Sequence, residues 1–448
     1  MDSLTQYIRL YDEHAATICA HAPEALNRLR PHALARLAAA RFPRKGDESY
    51  PAISIDELFA PDFGLNINRM AMPVDMTATM HCGVPNISTL LGVVVGDTFR
   101  PSTSLERNMP EGVTFCSLAR AAETHPEIIE KYYGRLASGR NAAADLNTLL
   151  AQDGVFVHIA AGTVVDRPLQ LINIFNSTAP FMASRRVLVV VEQDADARML
   201  VCDHTQERNV PCLSNQVVEV FIGENARFDW YDLEESSDDT SRVSQLFVDQ
   251  QAHSRFSLNG TTLMAGRTRN NYFIDHSGPS CSTRLTGMAV GMADQVVDNF
   301  TCVGHHFPEC KSEQIFKYIL DDRSQGSFYG TVIVDEAARF TDARQTNRNI
   351  LASADARPSA PRNQLRRGEM LPRSHRGPAR RQRPFLHALA RHPRGRGQDD
   401  AHAGIHGRRD RHRGNRRPAH TPPPARRAPS QRRGRPLRRL QDLAPTHP

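Results

Sequence analysis

From Asp153 onward the chain alternates short apolar runs with polar joints. The runs are "RRVLVVVEQ", "ARMLVCD", "QVVEVFIG", "ARFDWYDL", "SQLFVDQ", "SRFSLNGTTLM", "RLTGMAVG", "QIFKYIL" and "FYGTVIV". Each has the length of a β-strand and is rich in β-branched or aromatic residues. Between several of them recurs a joint of one apolar residue, a few polar ones and an alanine: Val191 to Ala195, Ile222 to Ala226, Val248 to Ala252, Val290 to Ala293 and Val334 to Ala337. Such a joint reads as a strand, a tight corner with a small inward residue, and another strand. A long row of these units with almost no helical periodicity predicts a β-solenoid, where each coil buries its face only against its neighbours. A β-sandwich is the rival architecture, and the repeated joints favour the solenoid.

Upstream the period changes. Residues 1 to about 40 carry apolar residues three and four apart, broken at Pro23 and Pro31, which predicts short amphipathic helices. Residues 44–110 are mixed and turn-rich. "EIIEKYYGRLASG" and "NAAADLNTLLAQ" predict two more helices. The expected organisation is a mostly helical region over 1–150, a mainly β core over 151–357, and a tail over 358–448.

Composition sets the tail apart. Residues 358–448 hold 24 of the 56 basic residues, all of them Arg, but only 5 of the 49 acidic ones, so a strongly basic tail follows an acidic body. The tail also has 14 of the 29 Pro and 8 of the 19 His, and no Val, Tyr, Trp or Cys. It has too little apolar surface to offset its ordering entropy and is expected to be disordered or non-native. An Arg-rich arm of this kind can bind nucleic acid through phosphate contacts, which is the alternative function. The body shows no signal segment and no apolar run near the roughly 20 residues of a membrane helix, so neither a membrane nor a specific nucleic acid is expected as partner. Its eight Cys are scattered without a CxxC pattern, as reduced thiols of a cytoplasmic protein would be.

The densest chemistry lies in "TCVGHHFPECKSEQ", where Cys302, His305, His306 and Cys310 form a C-x2-H-H-x3-C arrangement. Thiolate and imidazole donors at short spacing suit zinc or iron, which makes Cys302, His305 and Cys310 the candidate metal ligands. Alternate residues of a strand face opposite sides, however, so Cys302 and His305 need not converge. The acidic run "DLEESSDD", residues 232–239, reads as a solvated loop. His158, His204, His253 and His276 stand alone, without a visible partner to fix a tautomer. No G-x-G-x-x-G, P-loop or nucleophile elbow lies in the right context, and no catalytic residue is assigned. A β-helix enzyme of the polysaccharide-lyase kind would usually carry a secretion signal.

Residues 298–353, "DNFTCVGHHFPECKSEQIFKYILDDRSQGSFYGTVIVDEAARFTDARQTNRNILAS", resemble the SufB/SufD family of iron–sulfur cluster assembly proteins. The resemblance is carried by Thr301, Val303 and His305 as T-x-V-x-H, then Pro308, Ser312, Gln314 and Lys317, and on through Phe328, Gly330 and Val334 to "TDARQTNRN". "FPRKGDESY" and "IDELFAPDFGLN" resemble the SufD branch more than the SufB branch, whereas "SYPAISID" departs from the family pattern. The resemblance implies a helical N-terminal region, a right-handed β-helix, and a cytoplasmic, non-enzymatic scaffold. Its implied partners are SufB and the ATPase SufC, with a homodimer as a further possibility. No cofactor would be held stably, although a transient iron–sulfur cluster could sit on the complex.

Members of the family continue with a C-S-H-G motif and C-terminal helices where this chain turns Arg-rich. Back-translated and read one base to the right, residues 370–392 permit C-S-H-G-A-T-V-G-Q-L-D-D-N-A-L-F-Y-M-R-S-R-G-I. Residues 393–411 then permit P-E-A-E-A-R-T-M-L-M-Q-A-F-M-A-D-V-I-D. The tail therefore reads as the product of a one-base frameshift placed just after Arg357. Because the implied SufC-docking helices would be lost, this form is expected to be impaired and not to bind SufC.

Overall fold

A computed structural model describes residues 3–74, 89–206, 209–353, 355–358 and 362–367. The N-terminal region opens on helices Ser3–Ala20, Glu24–Asn27 and Arg30–Leu37. Pro23 sits at the N-cap of the second helix, while Pro31 starts the third, where its missing N–H would have no partner anyway. At the divergent "SYPAISID" stretch, Ser54 caps helix Ile55–Phe59 by accepting from the Glu57 N–H, and the Tyr50 ring lies 4.2 Å from the Arg269 guanidinium. Helices Pro126–Tyr132 and Ala142–Leu150 fall where the periodicity placed them, and Asn141 caps the second. Among the described residues no helix is long and apolar enough to cross a membrane.

The rest is a β-solenoid of two sheets through which the chain passes alternately. One sheet takes β1 (Leu90–Val95), β2 (Thr98–Arg100), β5 (Leu169–Phe175), β7 (Asp196–Thr205), β9 (Arg227–Glu235), β11 (Arg255–Met264), β13 (Ser282–Gly291), β15 (Lys311–Leu320) and β17 (Asp342–Leu351). The other takes β3 (Val113–Ser117), β4 (Val155–Ile159), β6 (Phe181–Val191), β8 (Cys212–Ile222), β10 (Thr240–Gln250), β12 (Arg267–His276), β14 (Val296–His305), β16 (Gln325–Val334), β18 (Arg357–Pro358) and β19 (Arg362–Arg367). Pairing is parallel except where β1 meets β2 and β3 meets β4. Each strand thus stacks on the strand two further along the chain, and equivalent residues line up in ladders. One runs Val157, Val189, Val220, Val248, Ile274, Val303 and Val332, every member buried. Ladders like this bury aliphatic surface at roughly 25 cal/mol per Å², which is what holds coil to coil.

Two features fasten the N-terminal region to this stack. Asn147, on the buried helix Ala142–Leu150, donates through Nδ2 to the carbonyls of Arg185 and Asn215, both at 2.9 Å. Glu219 of β8 accepts from the N–H groups of Gly134, Leu136 and Ala137 at 2.9, 2.7 and 3.0 Å, and from Arg186 Nη2 at 2.6 Å.

Several expectations change. The mostly helical region 1–150 also carries β1, β2 and β3, which belong to the two sheets. The acidic run 232–239 is not a solvated loop: its first half completes β9, and Asp232, Glu234, Ser236 and Ser237 are buried. A buried cation and a buried hydroxyl draw it inward. Arg242 Nη2 reaches Asp232 at 2.6 Å, and Thr268 donates to Glu234 at 2.7 Å. The ladder also runs past Arg357, since β19 pairs with β16 from Tyr329↔Arg362 to Val334↔Arg367. The character expected of the tail from residue 368 onward lies outside the described residues, as does Cys82.

Candidate functional site

The corners joining the second sheet to the first are built alike. Asp194, Asn225, His253, Ser280 and Glu309 take φ values of 59, 57, 60, 58 and 65°, the left-handed conformation that turns the chain sharply. The residue entering the next strand points inward, giving a corner ladder of Ala195, Ala226, Ser254, Cys281 and Cys310, all buried. The strand before each corner ends in the ladder Val191, Ile222, Gln250, His276, His305 and Val334. The strand after it contributes Ala197, Phe228, Phe256, Thr283 and Ser312.

The first two ladders turn polar at Gln250 and Ser254 and the third one coil later at Thr283, leaving a buried island of Gln250, Ser254, His276, Cys281, Thr283, His305, Cys310 and Ser312 where the earlier coils of these ladders hold Val, Ile, Phe and Ala. Its donors and acceptors are paired in sequence. Gln250 Nε2 donates to Ser254 Oγ at 3.2 Å, which leaves Gln250 Oε1 to accept from the Thr283 hydroxyl. Thr283 Oγ1 is 2.7 Å from His276 Nε2, and Ser312 Oγ is 2.9 Å from His305 Nε2. The two rings meet edge to face with Nδ1 atoms 3.2 Å apart. The Cys281 and Cys310 thiols share the Gly278 carbonyl at 3.2 and 3.4 Å. Only glycine fits at 278, because a Cβ there would run into the backbone of Ala252 one coil below.

The island shapes its own electrostatics. Hydrogen bonding from the Cys281 thiol pulls the Cys310 thiol well below the ordinary thiol range against the opposing effect of burial. The same contact with Cys310, reinforced by burial, pushes the Cys281 thiol up. Burial holds His305 below the usual histidine value, so its ring is neutral at physiological pH.

Of the residues singled out by spacing, the fold brings His305 and Cys310 together and leaves Cys302 out. Ligand atoms of His276, His305 and Cys310 all lie within 4.8 Å of one another. Cys302 occupies a different ladder, with Phe273 and Thr331 as register partners. His276, which stands alone in sequence, is the missing member, 29 residues from His305 by register.

A two-sheet parallel solenoid behind an N-terminal helical region is the architecture implied by the T-x-V-x-H resemblance. The SufBD protein N-terminal region matches residues 1–171, and the SufBD core domain of the SUF iron–sulfur cluster assembly system matches residues 173–369. The chain belongs to the SufBD family.

Within that family it is 27% identical over 332 residues to an iron–sulfur cluster assembly SufBD family protein of Synechocystis, covering 72% of each chain. It is 23% identical over 256 residues to the iron–sulfur cluster assembly protein SufD of Bacillus subtilis, covering 56% of this chain and 58% of that one. To SufD of Escherichia coli it is 31% identical over 107 residues, covering 23% and 24%.

Beside the island, the SufBD core is stapled by a second histidine. His306 Nδ1 lies 2.8 Å from Asp335 and Nε2 3.3 Å from Asp275, so one ring links three successive coils. Asp275, with Asp335, raises the His306 pKa from 6.5 to about 9. A histidine raised on folding contributes stability that is complete below its unfolded pKa and lost as pH rises through the folded one. His306→Gln is therefore expected to lower Tm most below about pH 6.5, with the difference from wild type shrinking as pH rises through about 9. Thermal melts at pH 6, 8 and 10 check it; a deficit of the same size at all three contradicts the staple.

Proposed function

We propose that the protein is a SufD-type scaffold subunit of iron–sulfur cluster assembly that pairs with a SufB-type solenoid in the cytoplasm and depends on a SufC ATPase. It would act on the nascent cluster as cargo without being an enzyme itself. The reading is supported above all by one continuous solenoid carrying both family regions, N-terminal and core, in a single chain. Names of relatives from two bacterial species point the same way, since both are iron–sulfur cluster assembly proteins called SufD.

The Arg-rich tail belongs to this reading as a frameshift product. The alternate frame supplies the C-S-H-G motif and the helices that the family resemblance implies for SufC docking and the SufB contact. Restoring the frame is expected to restore SufC binding. Co-expression of tagged 448-residue and frame-restored forms with SufB and SufC, followed by affinity capture, tests this. SufC should be retained by the restored form and lost from the other. Equal retention by both would overturn the assignment of SufC docking to the alternate frame, and retention by neither would overturn the scaffold reading.

A further inference from the structure

The geometry points to a resident metal site: a borderline-soft divalent transition-metal ion held in the solenoid corner by His276 Nδ1, His305 Nδ1 and Cys310 Sγ. The inference goes beyond the scaffold reading and does not depend on it.

Three independent observations carry it. The first is the position of the donors. Two nitrogen ligands of a tetrahedral zinc ion, each about 2.0–2.1 Å from the metal, lie about 3.3 Å apart. The two Nδ1 atoms are 3.2 Å apart, and the ligand atoms of all three residues fall within 4.8 Å of one another. Thiolate with imidazole is the donor set that zinc and ferrous iron share.

The second is the proton arrangement. Gln250 is oriented by its contacts with Ser254, so Gln250 Oε1 accepts the Thr283 hydroxyl hydrogen. Thr283 Oγ1 can then only accept from His276 Nε2–H. In the neutral ring this leaves His276 Nδ1 with a bare lone pair, aimed at the Nδ1 of His305. Ser312 Oγ contacts the outer nitrogen of His305 at 2.9 Å and so fixes that ring's orientation. Outer-nitrogen hydrogen bonds that fix ring orientation and tautomer are the usual support of metal-bound histidines.

The third is the interruption of the core. Ladders that are Val, Ile, Phe and Ala in the earlier coils become Gln, His, Thr, Ser and Cys in one corner, two of them in one coil and the third in the next. The hydrogen bonds within the island offset the cost of burying these groups, and their donor types, imidazole with thiol, are those a borderline-soft ion takes. An open groove of about 1110 Å³ runs along the corner tips Asp194, Asn225, His253 and Ser280 and reaches the Cys281 position.

Cobalt(II) is the probe, titrated into the full-length chain under anaerobic, reducing conditions. The Arg-rich tail carries 8 of the 19 His and would bind metal adventitiously, but it has no Cys, so it cannot give a thiolate-to-cobalt charge-transfer band. The expected result is that band together with tetrahedral d–d absorption, saturating at one cobalt per chain. Cys310→Ser should abolish the charge-transfer band, and His305→Gln should weaken binding at least about tenfold. Cys302→Ser should leave both band and affinity unchanged. Competition with zinc and with ferrous iron then shows which ion the site prefers, displacement by either supporting it. A wild-type chain that binds cobalt without a thiolate band overturns the proposal whether or not the variants fold, and so does a band that survives in folded Cys310→Ser.

Discussion

Glu219→Ala should cost about 3–5 kcal/mol of stability, the range for breaking a buried ion pair by removing one partner. Glu219 and Arg186 are both fully buried, and the Arg186 guanidinium also lies 4.7 Å from the Tyr133 ring. Removing the carboxylate strands that cation in the interior. It also orphans the N–H groups of Gly134, Leu136 and Ala137, each of which is costly to leave unpaired when buried. Those N–H groups belong to the loop between helices Pro126–Tyr132 and Ala142–Leu150, so the loop should loosen first. A urea titration should show a lower midpoint, and hydrogen exchange should quicken over residues 134–139. Asp294→Ala provides the contrast. Its bidentate pair with Arg323, at 2.6 and 2.7 Å, is mostly exposed, and losing it should leave the midpoint where it was. Equal midpoints for Glu219→Ala and wild type would sink the argument.

A comparable loss is expected from Arg242→Met, and here pH should tune it. Arg242 reaches Asp232 at 2.6 Å, Asp203 at 3.2 Å and Glu234 at 3.8 Å, with all four side chains buried. Burial raises Asp232, and it raises Glu234 to about 7, while Arg242 pulls both back down. An acid whose pKa rises on folding holds its proton more tightly in the native state. Stability therefore falls as pH climbs from the ordinary carboxylate range through the folded value. Without Arg242 both acids should titrate higher still, so the deficit should be about 3–5 kcal/mol at neutral pH and shrink in mild acid, where the carboxylates are protonated. Urea midpoints at pH 5 and pH 8 test the sign. A deficit larger at pH 5 than at pH 8 would mean the carboxylates are not what Arg242 neutralises.

The same buried charges explain which parts of the fold were legible in the sequence. Strands of nearly continuous aliphatic character, such as β6 with Val187 to Val191, announce themselves because both faces are buried. By contrast, β12 and β17, "RTRNNYFIDH" and "DARQTNRNIL", are missing from the apolar runs because much of their length is polar, and β14, "VVDNFTCVGH", mixes the two. Arg269 in β12 is nonetheless fully buried, paired with Asp298 at 2.8 Å. Asp232 and Glu234 looked solvated for the same reason, their cation lying on the next strand.

At the candidate site the short spacing of Cys302, His305 and Cys310 was a partial guide. It recovered two of the three converging residues and misplaced Cys302, because proximity along a strand does not set proximity in a solenoid. His276 sits directly beneath His305, and Cys281 beneath Cys310, each 29 residues earlier. A comparison of the chain with itself offset by one coil would have found both pairs, whereas a local motif could not.

Lateral stacking at this fixed offset also makes the chain's length tolerance discontinuous. One extra residue inside β14 would exchange its inward and outward sides, moving His305 off the corner and pulling Val303 from the core. A whole extra coil would leave every ladder in step, lengthening the rod by a single strand spacing of about 4.8 Å. The protein can thus grow or shrink in quanta set by its corners, and anything that measures its ends reads that quantum rather than the number of residues.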